Sequence, residues 1–172
     1  MDTKAEDKRL RKKWRSQRAR KGFSDSDVWG IDYWFSDTIA RMLTELRDHT
    51  DGHPVFDDEG NFAAPDESYD NDERDRKLWY EILSRMIFLA KEMNDETCSM
   101  VNPYMDEYVK HETDLWESHK TMNSSDSADE PEEIKKLKEN FLKFELEKKK
   151  YIMSCKDEFF ELFSKYYFGL WA

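Results

Sequence analysis

The stretch EPEEIKKLKENFLKFELEKKKYIMSCKDEFFELFSKYYF, residues 130–168, decides the fold. Its apolar positions alternate by three and four: Ile134, Leu137, Phe141 and Phe144, then Tyr151, Cys155, Phe159, Leu162 and Tyr166. That spacing stacks side chains along one face of an α-helix. Lys148 is the single break in the register. About 38 residues at 1.5 Å each predict a rod of roughly 57 Å. No other segment is that long, so the rod either bends or overhangs onto another molecule.

Working outward, the same period recurs. Asp72 to Asn94 carries Leu78, Ile82, Met86, Leu89 and Met93, widened by Trp79, Leu83 and Ile87. Asn102 to Lys120 has Pro103 in its first turn, where the missing N–H costs nothing. Its thinner apolar face is Tyr104, Met105, Tyr108, Leu115 and Trp116. A helix from about Asp27 to His49 is predicted by Val28, Ile31, Phe35, Ile39, Met42 and Leu46, with Ser24 and Ser26 supplying cap chemistry. Residues 51–72 have no period and are rich in Gly, Pro, Asp and Asn, which reads as a long loop, mobile or functional. Residues 121–130 are a polar linker in which Ser127 and Glu130 stand at capping-box spacing. The expected architecture is all-α: a bundle of about four helices in one domain, 23–172, with a basic arm, 1–22, ahead of it.

Composition fits this plan. Charged residues make up 39% of the 172 residues and the mean hydropathy is −1.01, which leans toward disorder. Aromatics at 15% do not, because disordered chains are poor in them. Helices with an aromatic seam and a charged outer face satisfy both facts. Two cysteines, Cys98 and Cys155, with no secretory signal read as reduced thiols of a cytoplasmic protein. The longest apolar run, Met86 to Ala90, is far short of the roughly 20 residues needed to span a bilayer. The net charge of −11 divides unevenly: +7 on residues 1–22 and −18 on the rest.

Several groups could carry chemistry. In the arm, Arg11, Lys12, Lys13, Arg15, Arg18, Arg20 and Lys21 could neutralise phosphates while Trp14 stacks on a base. The acidic body offers these bases a partner of its own, so a nucleic-acid partner is admitted but not favoured. All-α nucleotide pyrophosphohydrolases hold Mg²⁺ with paired acids on successive helices. Glu92 and Asp95 match one such pair, and Asp70 with Glu73 stands before it, although at a loop edge. His49 and His53 flank Asp51 at a helix end and could build a metal site, whereas His111 and His119 lie two turns apart. No Gly-rich phosphate loop or nucleophile elbow is present, and no cofactor or resident metal is expected. Phe159, Phe160, Phe163, Tyr167, Leu170 and Trp171 make the C-terminal end apolar almost all round. Such an end is either central to the bundle or an interface, most simply that of an isologous homodimer.

The segment from Arg20 to Phe35, with Gly22-Phe23-Ser24-Asp25-Ser26-Asp27-Val28-Trp29 at its centre, and Gly52-His53-Pro54 after it, resembles a group of tailed-bacteriophage and prophage proteins of no established activity. The ending from Cys155 to Tyr166 is similar as well. The resemblance implies a phage product acting in the bacterial cytoplasm and carries no catalytic residues across. The expected function is an acidic accessory protein that binds and modulates a host protein, a defence system being one such target. The alternatives are a Mg²⁺-dependent nucleotide hydrolase, a nucleotide-sequestering bundle, and nucleic-acid binding through the arm.

Overall fold

Residues 3–49, 52–63, 72–121 and 131–170 are described by the computed structural model. They form α1 (Thr3–Lys21), α2 (Asp25–Trp29), α3 (Ile31–His49), α4 (Asp72–Glu92), α5 (Met105–Thr121) and α6 (Glu132–Tyr166), followed by a 3₁₀ turn, Tyr167–Gly169. The fold is all-α, and among the described residues no strand is formed. An isolated antiparallel bridge joins Phe56 to Phe62. Six helices replace the expected four because the basic arm is itself a helix and the segment from Asp27 to His49 is two.

The chain divides into two units, residues 1–97 with 155–172, and residues 98–154, so the boundary falls inside α6. This differs from the single body read between 23 and 172. The apolar stripe of α6 is broken in register only at Lys148, and three-four spacing on both sides of that break does not say that its two ends belong to different units.

In the first unit α4 is central. Trp79, Ile82, Leu83, Met86, Ile87, Leu89 and Ala90 are all buried, each large side chain contributing roughly 1.5–3 kcal/mol. Asp72, Glu73 and Asp75 stand in its first turn, where the helix dipole favours negative charge. Helix α3 packs on α4, but not by the face its apolar residues suggest. Ser36, Ala40 and Leu43 are buried, Phe35, Ile39 and Leu46 are half-buried, and Val28, Ile31 and Met42 are exposed. Small residues at the contact let the two backbones approach. The Ser36 hydroxyl accepts from the Asn94 side-chain amide at 2.9 Å, so the buried polar group is matched.

The rest of this core is aromatic. Phe159 of α6 is fully buried, edge-on to Phe35 at 6.1 Å and stacked on Phe163 at 5.6 Å. Tyr166 lies edge-on to Phe56, Phe62 and Trp79 and donates its hydroxyl to the Gly60 carbonyl at 3.1 Å. Arg85 of α4 reaches Glu158 of α6 with two hydrogen bonds, 2.7 and 2.6 Å.

The loop before α4 is therefore not featureless. Phe56 is buried, and its N–H donates at 2.8 Å to the carboxylate of Asp75, which has no exposed surface. Arg74 closes the arrangement, donating to Asp75 at 2.9 Å and to the Phe56 carbonyl at 2.6 Å. Gly169 sits against the same loop, where an added Cβ would lie 2.7 Å from Phe62 and 2.9 Å from Pro54.

In the second unit the inward stripe of α6 begins as read: Leu137 is buried, while Ile134, Phe141, Phe144, Lys148 and Tyr151 are half-buried. Phe141 stacks flat on Tyr108 of α5 at 4.0 Å. Asn102, buried just ahead of α5, donates to Glu145 at 2.8 Å and accepts from the Tyr104 N–H at 3.0 Å. Met105 and Trp116, read as part of the inner face of α5, are exposed; Tyr104, Tyr108, His111 and Leu115 are the half-buried positions. Both cysteines are buried. The linker 122–130, with Ser127 and Glu130, lies outside the described residues.

Candidate functional site

The motif that carries the resemblance builds a corner. Gly22 ends α1 in the left-handed region (φ 80°), and its N–H donates to the Arg18 carbonyl at 2.9 Å, a helix stop that favours glycine. Ser24 then caps α2. Its N–H donates to the Asp27 carboxylate at 2.7 Å, while the Asp27 N–H donates to the Ser24 carbonyl at 3.0 Å. Gly30 interrupts the helix after one turn of α2, and α3 starts from its carbonyl, which accepts from the Trp34 N–H at 2.9 Å.

Two acids of this corner tie it to α1. Asp27 accepts from Arg18 through Nε at 2.9 Å and through a second guanidinium nitrogen. Those bonds, with that from Ser24, hold the Asp27 carboxyl well below the usual carboxylate range. Asp25 accepts from the Gln17 amide at 2.7 Å and from Lys13 at 2.9 Å, and its carboxyl is lowered, first by Gln17 and then by Lys13. Gln17 returns the contact by accepting from the Asp25 N–H at 3.0 Å and is itself buried.

The braced corner displays apolar side chains to solvent. Trp29 is 93% exposed, with Val28 at 59% and Ile31 at 65% beside it, and Phe23 and Tyr33 are also exposed. Of these, Val28 and Ile31 belong to the apolar face expected for the segment from Asp27 to His49. Gly30 interrupts the helix after one turn, and Val28 and Trp29 of α2 are left exposed.

The arm bases divide into two groups. Lys13 and Arg18 pair with Asp25 and Asp27, Arg20 donates to the Ser16 carbonyl at 3.4 Å, and Lys21 lies 5.9 Å from the Phe23 ring centre. Arg11, Lys12 and Arg15 instead line an open depression together with Lys4 and Lys8. Trp14 is half-buried with Leu10, on the side of α1 that holds Gln17, and is not displayed for stacking.

The paired-acid reading fails on geometry. Glu73 opens α4 and Glu92 closes it, and at 1.5 Å per residue they stand roughly 28 Å apart, too far to share ions. Glu92 is buried while Asp95 lies exposed beyond the helix end; Asp70 is outside the described residues. The histidine reading fares no better. His49 faces Glu45 at 3.2 Å, whereas His53 is engaged by Asp72 at 3.0 Å and by the Pro54 carbonyl at 3.2 Å. Among the described residues no three His, Cys, Asp or Glu side chains gather around a common point.

A cleft of about 700 Å³ lies beside the corner, bounded by Arg18, Asp27, Tyr33, Trp34, Arg41 and Thr97 among others. Its two arginines are already neutralised, Arg18 by Asp27 and Arg41 by Asp37 at 2.8 Å. The alternative of a nucleotide-sequestering bundle needs free bases from the arm in such a pocket, and of the described arm bases only Arg18 lines it.

The C-terminal aromatics split. Phe159 is core and cannot face a partner without unfolding the unit. Phe163 and Leu170 are half-buried. Phe160, stacked on Phe35 at 5.7 Å, Tyr167 and Phe168 keep exposed surface, Phe168 at 80%. Trp171 lies outside the described residues.

No helix among the described residues is long and apolar enough to cross a membrane. No protein-family model, curated protein or solved structure matches the chain.

Proposed function

We propose that this chain is an accessory interaction protein that docks on another protein through the α1–α2–α3 corner, consistent with a phage product acting on a protein of the bacterial host. One observation carries the reading: Trp29, almost wholly exposed and flanked by Val28 and Ile31, on a corner braced by the Asp27 bonds. An exposed tryptophan on a mobile loop would cost entropy to immobilise, whereas a pre-positioned one does not. Large rigid aromatics with an apolar surround are the side chains that dominate protein interfaces. The test compares capture from host lysate by tagged wild type and by a Trp29→Ala, Val28→Ser variant. A specific partner lost by the variant, with unchanged helicity and thermal transition, is the expected result. The same partner held equally by both proteins would refute the assignment of this surface.

Self-association is the second element of the reading, in reduced form. Phe160, Tyr167 and Phe168 are what the C-terminal end offers to a second copy. An anti-defence role and a cytoplasmic site of action belong to the same proposal and rest on the phage resemblance.

A further inference from the structure

The basic helix pairs with its own body over only one end. The bonds that anchor α1, from Lys13, Gln17 and Arg18 to Asp25 and Asp27, all lie in its C-terminal half. Lys4, Lys8, Arg11 and Arg15 follow four-three-four spacing, which sets them in a single row on one face, with Lys12 beside them. Among the described residues no carboxylate pairs with any of the five. Asp7 is the one acid in the depression they line. Successive bases of the row are about 4.5–6 Å apart along the axis, and the row spans roughly 16 Å. Lys4 stands some 20 Å along the helix from Arg18, about twice the screening length at physiological salt. The carboxylates of the corner therefore do little to neutralise Lys4 and Lys8; Arg11, Lys12 and Arg15 stand nearer to them, but Asp25 and Asp27 pair with Lys13 and Arg18 instead.

We infer that this row is a binding site for the phosphodiester backbone of nucleic acid. A line of evenly spaced, uncompensated cations matches a polymer that presents one charge per repeat. The depression they line is open to solvent rather than enclosing. The half-buried Trp14 is turned away and leaves no exposed ring in the row to stack on a base, so the contacts the row offers are chiefly to phosphate. The site is separate from the Trp29 corner and does not depend on the function proposed for it.

The test uses full-length protein and fluorescein-labelled single-stranded DNA, single-stranded RNA and duplex DNA, read by anisotropy across a salt series. Five phosphate contacts give a slope of log K against log salt of roughly −3.5 for single strands and −4.5 for duplex. Affinity should then fall about 100- to 500-fold between 50 and 200 mM salt. The steeper or shallower slope, with the tighter ligand, says which form the row takes. Replacing Lys4, Lys8, Arg11 and Arg15 together by Gln, a good helix former, should flatten the slope by roughly 3–4. Circular dichroism should remain unchanged. A charge-matched control replaces Lys136, Lys143, Lys149 and Lys150 by Gln and should bind as wild type does. Absence of binding to all three ligands at 50 mM salt would overturn the inference, as would equal loss in the control. A low-salt self-association abolished by the row variant, without nucleic-acid binding, would assign the row to the acidic surface of a second copy and overturn it equally.

Discussion

Replacing Asp27 by Asn tests whether the corner is braced as described. The carboxylate receives one hydrogen bond from the Ser24 N–H at 2.7 Å and two from Arg18. Asn keeps the shape but leaves one oxygen, and it turns an amide toward the guanidinium. Hydrogen bonds to a charged group contribute about 1.5–3 kcal/mol. The Arg18 side chain is half exposed, so its share is discounted. A loss of about 2 kcal/mol follows, concentrated in the α1–α2 corner. Amide exchange read by mass spectrometry should be roughly 30-fold faster across Arg18–Gly30 at neutral pH, since each 1.4 kcal/mol is tenfold. The sign of the pH dependence is fixed by the lowered carboxyl. The unfolded chain binds the proton first, so the stabilisation is complete above about pH 5. It shrinks as pH falls below about 4 toward the folded value. The gap between wild type and variant must therefore close in acid. A variant that exchanges like wild type at pH 7, or a gap unchanged down to pH 2, would refute the brace.

Three further outcomes are expected. Asp75→Ala should lower the stability of the first unit by about 1–3 kcal/mol in a urea titration, because it leaves the buried Phe56 N–H without its acceptor; a loss below about 0.5 kcal/mol would mean that water replaces the carboxylate. Phe159→Ala removes a fully buried ring and should cost about 3–5 kcal/mol, and a stably folded variant of altered oligomeric state would instead return Phe159 to an interface. Tyr167→Ser with Phe168→Ser should convert a wild-type dimer to a folded monomer in sedimentation equilibrium. A wild type that is already monomeric at micromolar concentration would remove self-association from the proposal.

The tail of α6 shows why its reading from sequence was divided. Phe159 to Phe168 is apolar on nearly every side, and a helix alone does not say which side is covered. Phe35 and the Phe56–Phe62 loop cover Phe159 and Tyr166, leaving Tyr167 and Phe168 outside. The acids show the same limit. Glu73 and Glu92 match a spacing in the chain, but spacing along a chain says nothing about convergence when one straight helix holds both. Asp75 drew no notice among the 39 acids, since its partner, the Phe56 N–H, is defined only after the loop has folded back.

The sequence by itself determined the helical segments of α4, α5 and α6 and the inward stripe of α4 and α6, because the 3.6-residue turn is a local property that each segment carries alone. Cap chemistry was local too, and Ser24 was legible as the start of a helix. The tertiary structure alone decided which residues of α3 are buried: Ser36 and Ala40 join Leu43, while Ile31 and Met42 are exposed. Burial of small residues reflects how closely two helices approach, and hydropathy does not encode that. The tertiary structure likewise decided the fate of Val28: one glycine, Gly30, interrupts the helix and leaves a residue expected on the apolar face exposed to solvent.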